Sequence, residues 1–172
     1  MLSRSLAQQL GAPKVSFGDA VRREANRLGL AENREALQNL GDSMITAGWD
    51  AFCELTVAAA GEPATDILVV DGVRHLGAIS GLSRIAAPSA TFVVFIDAPW
   101  ERRLSWLHAR GISTEEALAA DSHSNEAEVT EVRRVADLVI MNDGTVDDAV
   151  SEIMARLIDR GLARAPDSFS FP

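Results

Sequence analysis

The sequence predicts an α/β protein built on a mainly parallel sheet. Short apolar runs alternate with helix-length amphipathic segments along the whole chain, a pattern that calls for right-handed crossovers between parallel strands. Each apolar run also stops at Asp, Asn or Gly. Those residues tolerate a tight turn and leave polar groups along one edge of the sheet.

The central run is Ile67-Leu68-Val69-Val70, ending at Asp71-Gly72 with Arg74 two residues on. Consecutive apolar residues rich in Val and Ile read as a strand buried on both faces. Ligands of open α/β sheets sit outside the carboxyl ends of the strands. Asp71 and Arg74 are therefore candidates for the rim of a site. A carboxylate suits a hydrated metal ion and a planar guanidinium suits a phosphate, so chemistry on a phosphate ester is the expectation.

Composition bounds the function classes. The 172 residues, 47% hydrophobic and 24% charged, fit one globular domain with a sizeable core. A net charge of −9 argues against a nucleic-acid partner, yet a few arginines can converge locally on a small phosphorylated ligand. The lone Cys53 excludes an internal disulfide and fits a reducing, cytoplasmic setting. No apolar run reaches membrane-spanning length.

Taken in order, Leu2, Leu6 and Leu10 mark one helix face, stopped by Gly11 and Pro13. Lys14–Phe17 reads as a short strand ending in Gly18-Asp19, with a helix from about Ala20 to Leu28. Asn33 suits the cap of a helix carrying Leu37, Leu40, Met44 and Ile45, and Asp50 the cap of the next, with Phe52, Leu55 and Ala59. Gly61-Glu62-Pro63 breaks that helix before the central strand, and a helix over 76–85 leads to Pro88. Thr91–Ile96 is the next strand, ending at Asp97, and Pro99 is placed to start a helix running to about Arg110. Ser113-Thr114-Glu115-Glu116 is a capping-box pattern that opens a polar segment, 111–128, expected to serve as a lid. Leu138–Met141 is the last strand; Asn142-Asp143-Gly144 and a helix from about Val146 to Leu157 follow, and the tail after Gly161 has no periodicity.

These segments carry a resemblance. Ser16-Phe17-Gly18-Asp19-Ala20-Val21-Arg22 resembles the turn after the second strand of adenylate kinases. Asp71-Gly72-Val73-Arg74 is similar to their Asp-Gly-Phe-Pro-Arg segment, one residue shorter. Asp97-Ala98-Pro99 through Arg110-Gly111 resembles the helix leading into the lid, and Ala136 to Gly144 the last strand and the loop beside the adenine. The order and spacing of these anchors over residues 2–157 resemble a P-loop kinase of the nucleoside-monophosphate kinase group, adenylate-kinase-like or dephospho-CoA-kinase-like. The resemblance implies a three-layer parallel sheet over residues 1–160, acceptor-binding helices at about 20–60, a lid at about 111–128, and a tail at 161–172.

The resemblance also assigns roles. Asp19, Arg22, Gly72 and Arg74 would bind the acceptor, Asp71 would contact hydrated Mg²⁺ or orient the acceptor, and Arg110 would contact the donor phosphates. Trp106, Asn142 and Gly144 would lie against the base of ATP. Each has a plainer alternative: a solvated basic face for Arg22 with Arg23, a surface ion pair for Arg74, a turn cap for Asp71, a favourable helix-end cation for Arg110, a core position for Trp106, and a simple turn at Asn142 and Gly144. Asp97 reads as a turn residue. Arg133 and Arg134 either swing inward or lie on a solvated helix face.

The sequence departs from the family in one defining feature. A first strand followed by G-x-x-x-x-G-K-[ST] supplies the backbone N–H groups, Lys and Ser/Thr that hold ATP and Mg²⁺, and no such motif occurs here. In the family that strand lies between those corresponding to 67–71 and 91–97. The expectation is a shortened form of an ATP-dependent phosphotransferase acting on a nucleotide or nucleotide-like acceptor, inactive as the 172-residue chain. The alternative is a non-catalytic nucleotide-binding or interaction protein that repairs its sheet some other way.

Overall fold

The strands form two separate parallel pairs. β1 (Lys14–Ser16) pairs with β2 (Val69–Asp71), with Lys14 opposite Val69 and Ser16 opposite Asp71. β3 (Val94–Asp97) pairs with β4 (Leu138–Met141), with Val94 opposite Leu138 and Asp97 opposite Met141. The computed structural model describes residues 2–61, 65–123 and 126–164, and among these no ladder joins β2 to β3. The expected mixed α/β class and parallel pairing are present, and the strands form two short pairs facing a cleft.

The helices in chain order are α1 (Leu2–Leu10), α2 (Phe17–Arg27), α3 (Arg34–Ala47), α4 (Trp49–Val57), α5 (Leu76–Ala86), α6 (Trp100–His108), α7 (Thr114–His123), α8 (Glu126–Val135) and α9 (Val146–Asp159). Their ends follow local chemistry. Asn33 Oδ1 accepts from the Ala36 N–H at 2.9 Å, and Ser113 and Glu116 close the reciprocal box at 3.1 and 2.8 Å. Thr145 and Asp148 form a second box at the start of α9. After α1 the chain reverses at Gly11, whose φ of 60° a side chain would oppose.

Several boundaries differ from the sequence expectation. α2 begins at Phe17, because the Ser16 hydroxyl accepts from the Asp19 N–H and caps the helix there; Gly18 and Asp19 lie in its first turn rather than in a loop. Asp50 is not a cap: Gly48, at φ 128°, precedes the helix, and Asp50 pairs with Arg84 on α5. Pro99 is the cap residue of α6, and the helix ends at His108. Residues 111–128 are largely helical, in α7 and the start of α8. β2 and β3 are shorter than their apolar runs, since Ile67, Leu68 and Thr91–Val93 lie outside the ladders. Residues 62–64, 124–125 and the tail beyond 164 lie outside the described residues.

Two cores support the strand pairs. Leu6 of α1 packs with Leu138 and Ile140 of β4 and with Val150, Ile153 and Leu157 of α9. Phe17, Ala20, Phe52, Cys53 and Ala78 form the second, between α2, α4 and α5. Phe17 meets Phe52 edge-on, with ring centroids 4.9 Å apart. No described helix is long and apolar enough to cross a membrane.

Candidate functional site

The carboxyl end of β2 gathers the largest set of predicted residues. Because β1 and β2 are parallel and in register, Ser16 and Asp71 end side by side, and α2 departs from the same edge with Asp19 and Arg22 in its first turns. Asp71 is half-exposed. Its Oδ1 accepts from the Gly72 N–H at 2.8 Å and its Oδ2 from the Ser3 hydroxyl at 2.9 Å, with Lys14 Nζ 3.6 Å away. Gly72 turns the chain at φ 77°. Arg74 then lies exposed at the mouth of the cleft. Its guanidinium has no ion-pair or hydrogen-bond partner among the described residues.

Arg22 behaves differently from Arg74. Its Nη1 reaches Asp19 Oδ1 at 2.8 Å, one helical turn back. The Ser16 hydroxyl above all, and then Arg22 and Lys14, hold the Asp19 carboxyl below the usual carboxylate range, against an opposing effect of burial. Arg22 thus sits beside a carboxylate that a phosphate would have to displace or share.

The carboxyl end of the other pair gathers a second group. Asp97 accepts from the Ala98 N–H at 2.9 Å, as a turn residue does, and its other oxygen meets Arg133 Nη2 at 3.3 Å. Of the two basic residues on α8, Arg133 therefore turns inward, while Arg134 pairs with Glu131 on its own helix. The Asn142 N–H donates to the Asp97 carbonyl at 2.7 Å. Arg102 on α6 clamps the next residues, donating to the carbonyls of Asp143 at 2.6 Å and Gly144 at 3.1 Å.

Trp106 and Arg110 make no hydrogen bond or ion pair with either group among the described residues. Trp106 is 41% exposed, so it is a surface residue and not part of the core. The Arg110 side chain, just beyond α6, has no partner among the described residues. The sequence reading missed Lys14, Ser3, Arg102 and His75, which lies tilted by 40° against Trp49 with centroids 5.2 Å apart and contacts Glu128 on α8. None sits in a recognisable motif; each is placed by a partner distant in the sequence.

Asp71 supplies one exposed carboxylate oxygen set, which suits a cation that keeps most of its waters. No cluster of three or more potential ligands occurs among the described residues. Nothing in the chain matches the Gly-rich cradle that ATP phosphates require.

The cleft between β2 and β3 adjoins the first group. It holds about 830 Å³ and is lined by Ile67, Leu68 and residues 70–74 on one side and by residues 89–96 on the other.

Comparison with known proteins finds relatives of the chain. The chain is 27% identical over 161 residues to the UPF0200/UPF0201 protein of Archaeoglobus fulgidus, a match covering 89% of the chain and 50% of that protein. It is 28% identical over 109 residues to a UPF0200 protein of Methanosarcina barkeri, covering 63% of the chain and 58% of the relative. With a UPF0200 protein of Aeropyrum pernix it shares 30% identity over 152 residues, 86% of the chain and 80% of the relative. The chain thus spans about half the length of the A. fulgidus relative. No family model matches.

Proposed function

The chain belongs to the UPF0200 family, and we propose that it is the acceptor-binding body of an ATP-dependent phosphotransferase acting on a nucleotide or nucleotide-like small molecule. The observation that carries the reading is Arg74: an exposed guanidinium without a partner among the described residues, at a strand's carboxyl end, one strand over from Asp19 and Arg22. A phosphate is the ligand such a group takes most readily, through charge-assisted and often bidentate hydrogen bonds.

In this reading Arg74 and Arg22 bind the acceptor's phosphate, and the Gly72 turn lets the backbone approach it. Asp71 would hold a hydrated Mg²⁺, whose contribution when bound is to neutralise phosphate charge, or orient the acceptor. Asn142, bonded to the Asp97 carbonyl, and Gly144, held by Arg102, would border the base, with Trp106 and Arg110 on the donor side. The helices over 111–128 would close over the site. The donor phosphates have no counterpart cradle in these residues, so the 172-residue chain is expected to bind acceptor without turning over ATP.

The alternative reading is a non-catalytic nucleotide-binding or interaction protein, which the open cleft between the strand pairs favours. Calorimetric titration with nucleoside monophosphates, dephospho-CoA and ATP separates the two. The kinase-derived reading expects a monophosphate ligand whose affinity falls at least tenfold, about 1.4 kcal/mol, in Arg74→Ala. If no phosphorylated acceptor binds, or Arg74→Ala leaves affinity unchanged, the acceptor-site assignment is wrong.

A further inference from the structure

One helix reaches the carboxyl ends of both strand pairs. Glu128, in the first turn of α8, contacts Nδ1 of His75, the cap residue of α5 just beyond β2. Further along the same helix, Arg133 Nη2 meets Asp97 Oδ2, at the end of β3, at 3.3 Å. The two contacts have opposite polarity, since the helix offers an acid to one pair and a base to the other. Their positions are about 7.5 Å apart along the helix axis, so two long side chains reach from one pair to the other. Arg134 and Glu131 pair with each other within α8 and take no part.

Little else holds α8 in place. A helix of 10 residues is too short to be stable alone. Among its described side chains only Val132 is buried, at 4% exposure. Val132 faces the cleft that Arg74 also lines. Glu128 and Val132 stand one turn apart on the same helix face, so the His75 contact and the burial of Val132 go together. His75 is itself fixed, by its extended backbone and by Trp49 with ring centroids 5.2 Å away. Both ion pairs are partly exposed. Such pairs are individually weak, which suits parts that must let go.

We propose that α8 is a releasable strap across the carboxyl ends of the two strand pairs. Glu128 on His75 and Arg133 on Asp97 hold it down. It lifts as one piece and uncovers the cleft that Val132 and Arg74 share. As a control on access to Arg74 it rests on the phosphate reading above. As a strap it is tested without any ligand, so the two fail separately.

A thiol placed under the strap tests it. Val132→Cys is treated with a thiol-specific disulfide reagent, and the buried Cys53 reports any loss of the whole fold in the same molecule. Glu128→Ala and Arg133→Ala remove the two anchors while keeping intrinsic helix propensity at its maximum. Each should speed labelling of the introduced thiol about two- to fivefold, the range of an exposed ion pair. The two together should give the product of the single effects, with Cys53 still protected. Sodium chloride at about 0.5 M should speed labelling in the Val132→Cys protein and leave the double-alanine form unchanged, because salt screens ion pairs. Arg133→Asp should speed labelling, and Asp97→Arg added to it should restore the slow rate, a recovery that general destabilisation does not give. A rate that Glu128→Ala leaves unchanged overturns the proposal, for α8 is then held by packing or frays at one end only. So does an acceleration shared equally by Cys53, for α8 then opens only with the whole fold.

Discussion

The Ser3 hydroxyl donates to the Asp71 carboxylate at 2.9 Å, joining two residues 68 positions apart. It ties the start of α1 to the end of β2, at the edge where Ser16 and Asp71 end side by side. Ser3→Ala should lower the urea midpoint by an amount equivalent to about 0.5–1 kcal/mol, the net value of an ordinary hydrogen bond, with the slope of the transition unchanged. An unaltered midpoint would show that water replaces the contact without loss.

Gly77, in the first turn of α5, faces the Trp49 indole so closely that a Cβ would overlap it. Trp49 has little room to retreat, stacked 6.0 Å from Phe52 and edge-on at 6.3 Å to Phe17. Gly77→Ala should destabilise by about 1–3 kcal/mol, as overpacking does, and shift tryptophan emission. A neutral effect would mean that the α4–α5 contact is looser than the structure shows.

Cys53 is buried, and burial, reinforced by Asp50, pushes its thiol pKa up. A protonated, inaccessible thiol is unreactive. The folded protein at pH 8 should resist a thiol-specific disulfide reagent and react fully once unfolded in guanidinium. Rapid stoichiometric labelling of the native protein would contradict the packing of the second core.

Three exposed carboxylates should govern acid stability. The Thr145 hydroxyl lowers the pKa of Asp148, the Ser113 backbone N–H that of Glu116, and the Ser16 hydroxyl that of Asp19. A carboxyl depressed in the folded state stabilises it fully above the unfolded value, about pH 4, and the benefit is lost as pH falls through the lower folded value. Thermal midpoints should therefore be level between pH 7 and about pH 5 and fall below about pH 4. Thr145→Ala should flatten part of that fall; an identical acid profile would rule the α9 cap out.

The features legible in the sequence were those that a few neighbouring residues decide. The Asn33 cap, the Ser113–Glu116 box, the Gly11 stop and the existence of each strand all follow from local composition and period. Strand length was not legible. An apolar run such as Ile67–Val70 reports burial, whereas a ladder needs a partner, and Leu68 faces a cleft instead. Asp50 misled because its residue type suits a cap; its partner, Arg84, lies on another helix. Arg102 and Lys14 reach backbone carbonyls and a carboxylate that only tertiary structure brings near. The end of β2 at Asp71-Gly72 was legible because those residue types suit a strand's end and the turn after it.

The packing of Leu6 on Ile140, Ile153 and Leu157 matters for the order in which the protein is made. α1 leaves the ribosome long before β4 and α9, the strand and helix that cover its apolar face. Until residue 157 has emerged, Leu2, Leu6 and Leu10 have no lasting place to go. The second core, drawn from Phe17 to Ala78, can assemble earlier. The nascent chain therefore carries an uncovered amphipathic helix while residues 11–157 are being made, the window in which such surfaces recruit chaperones or aggregate.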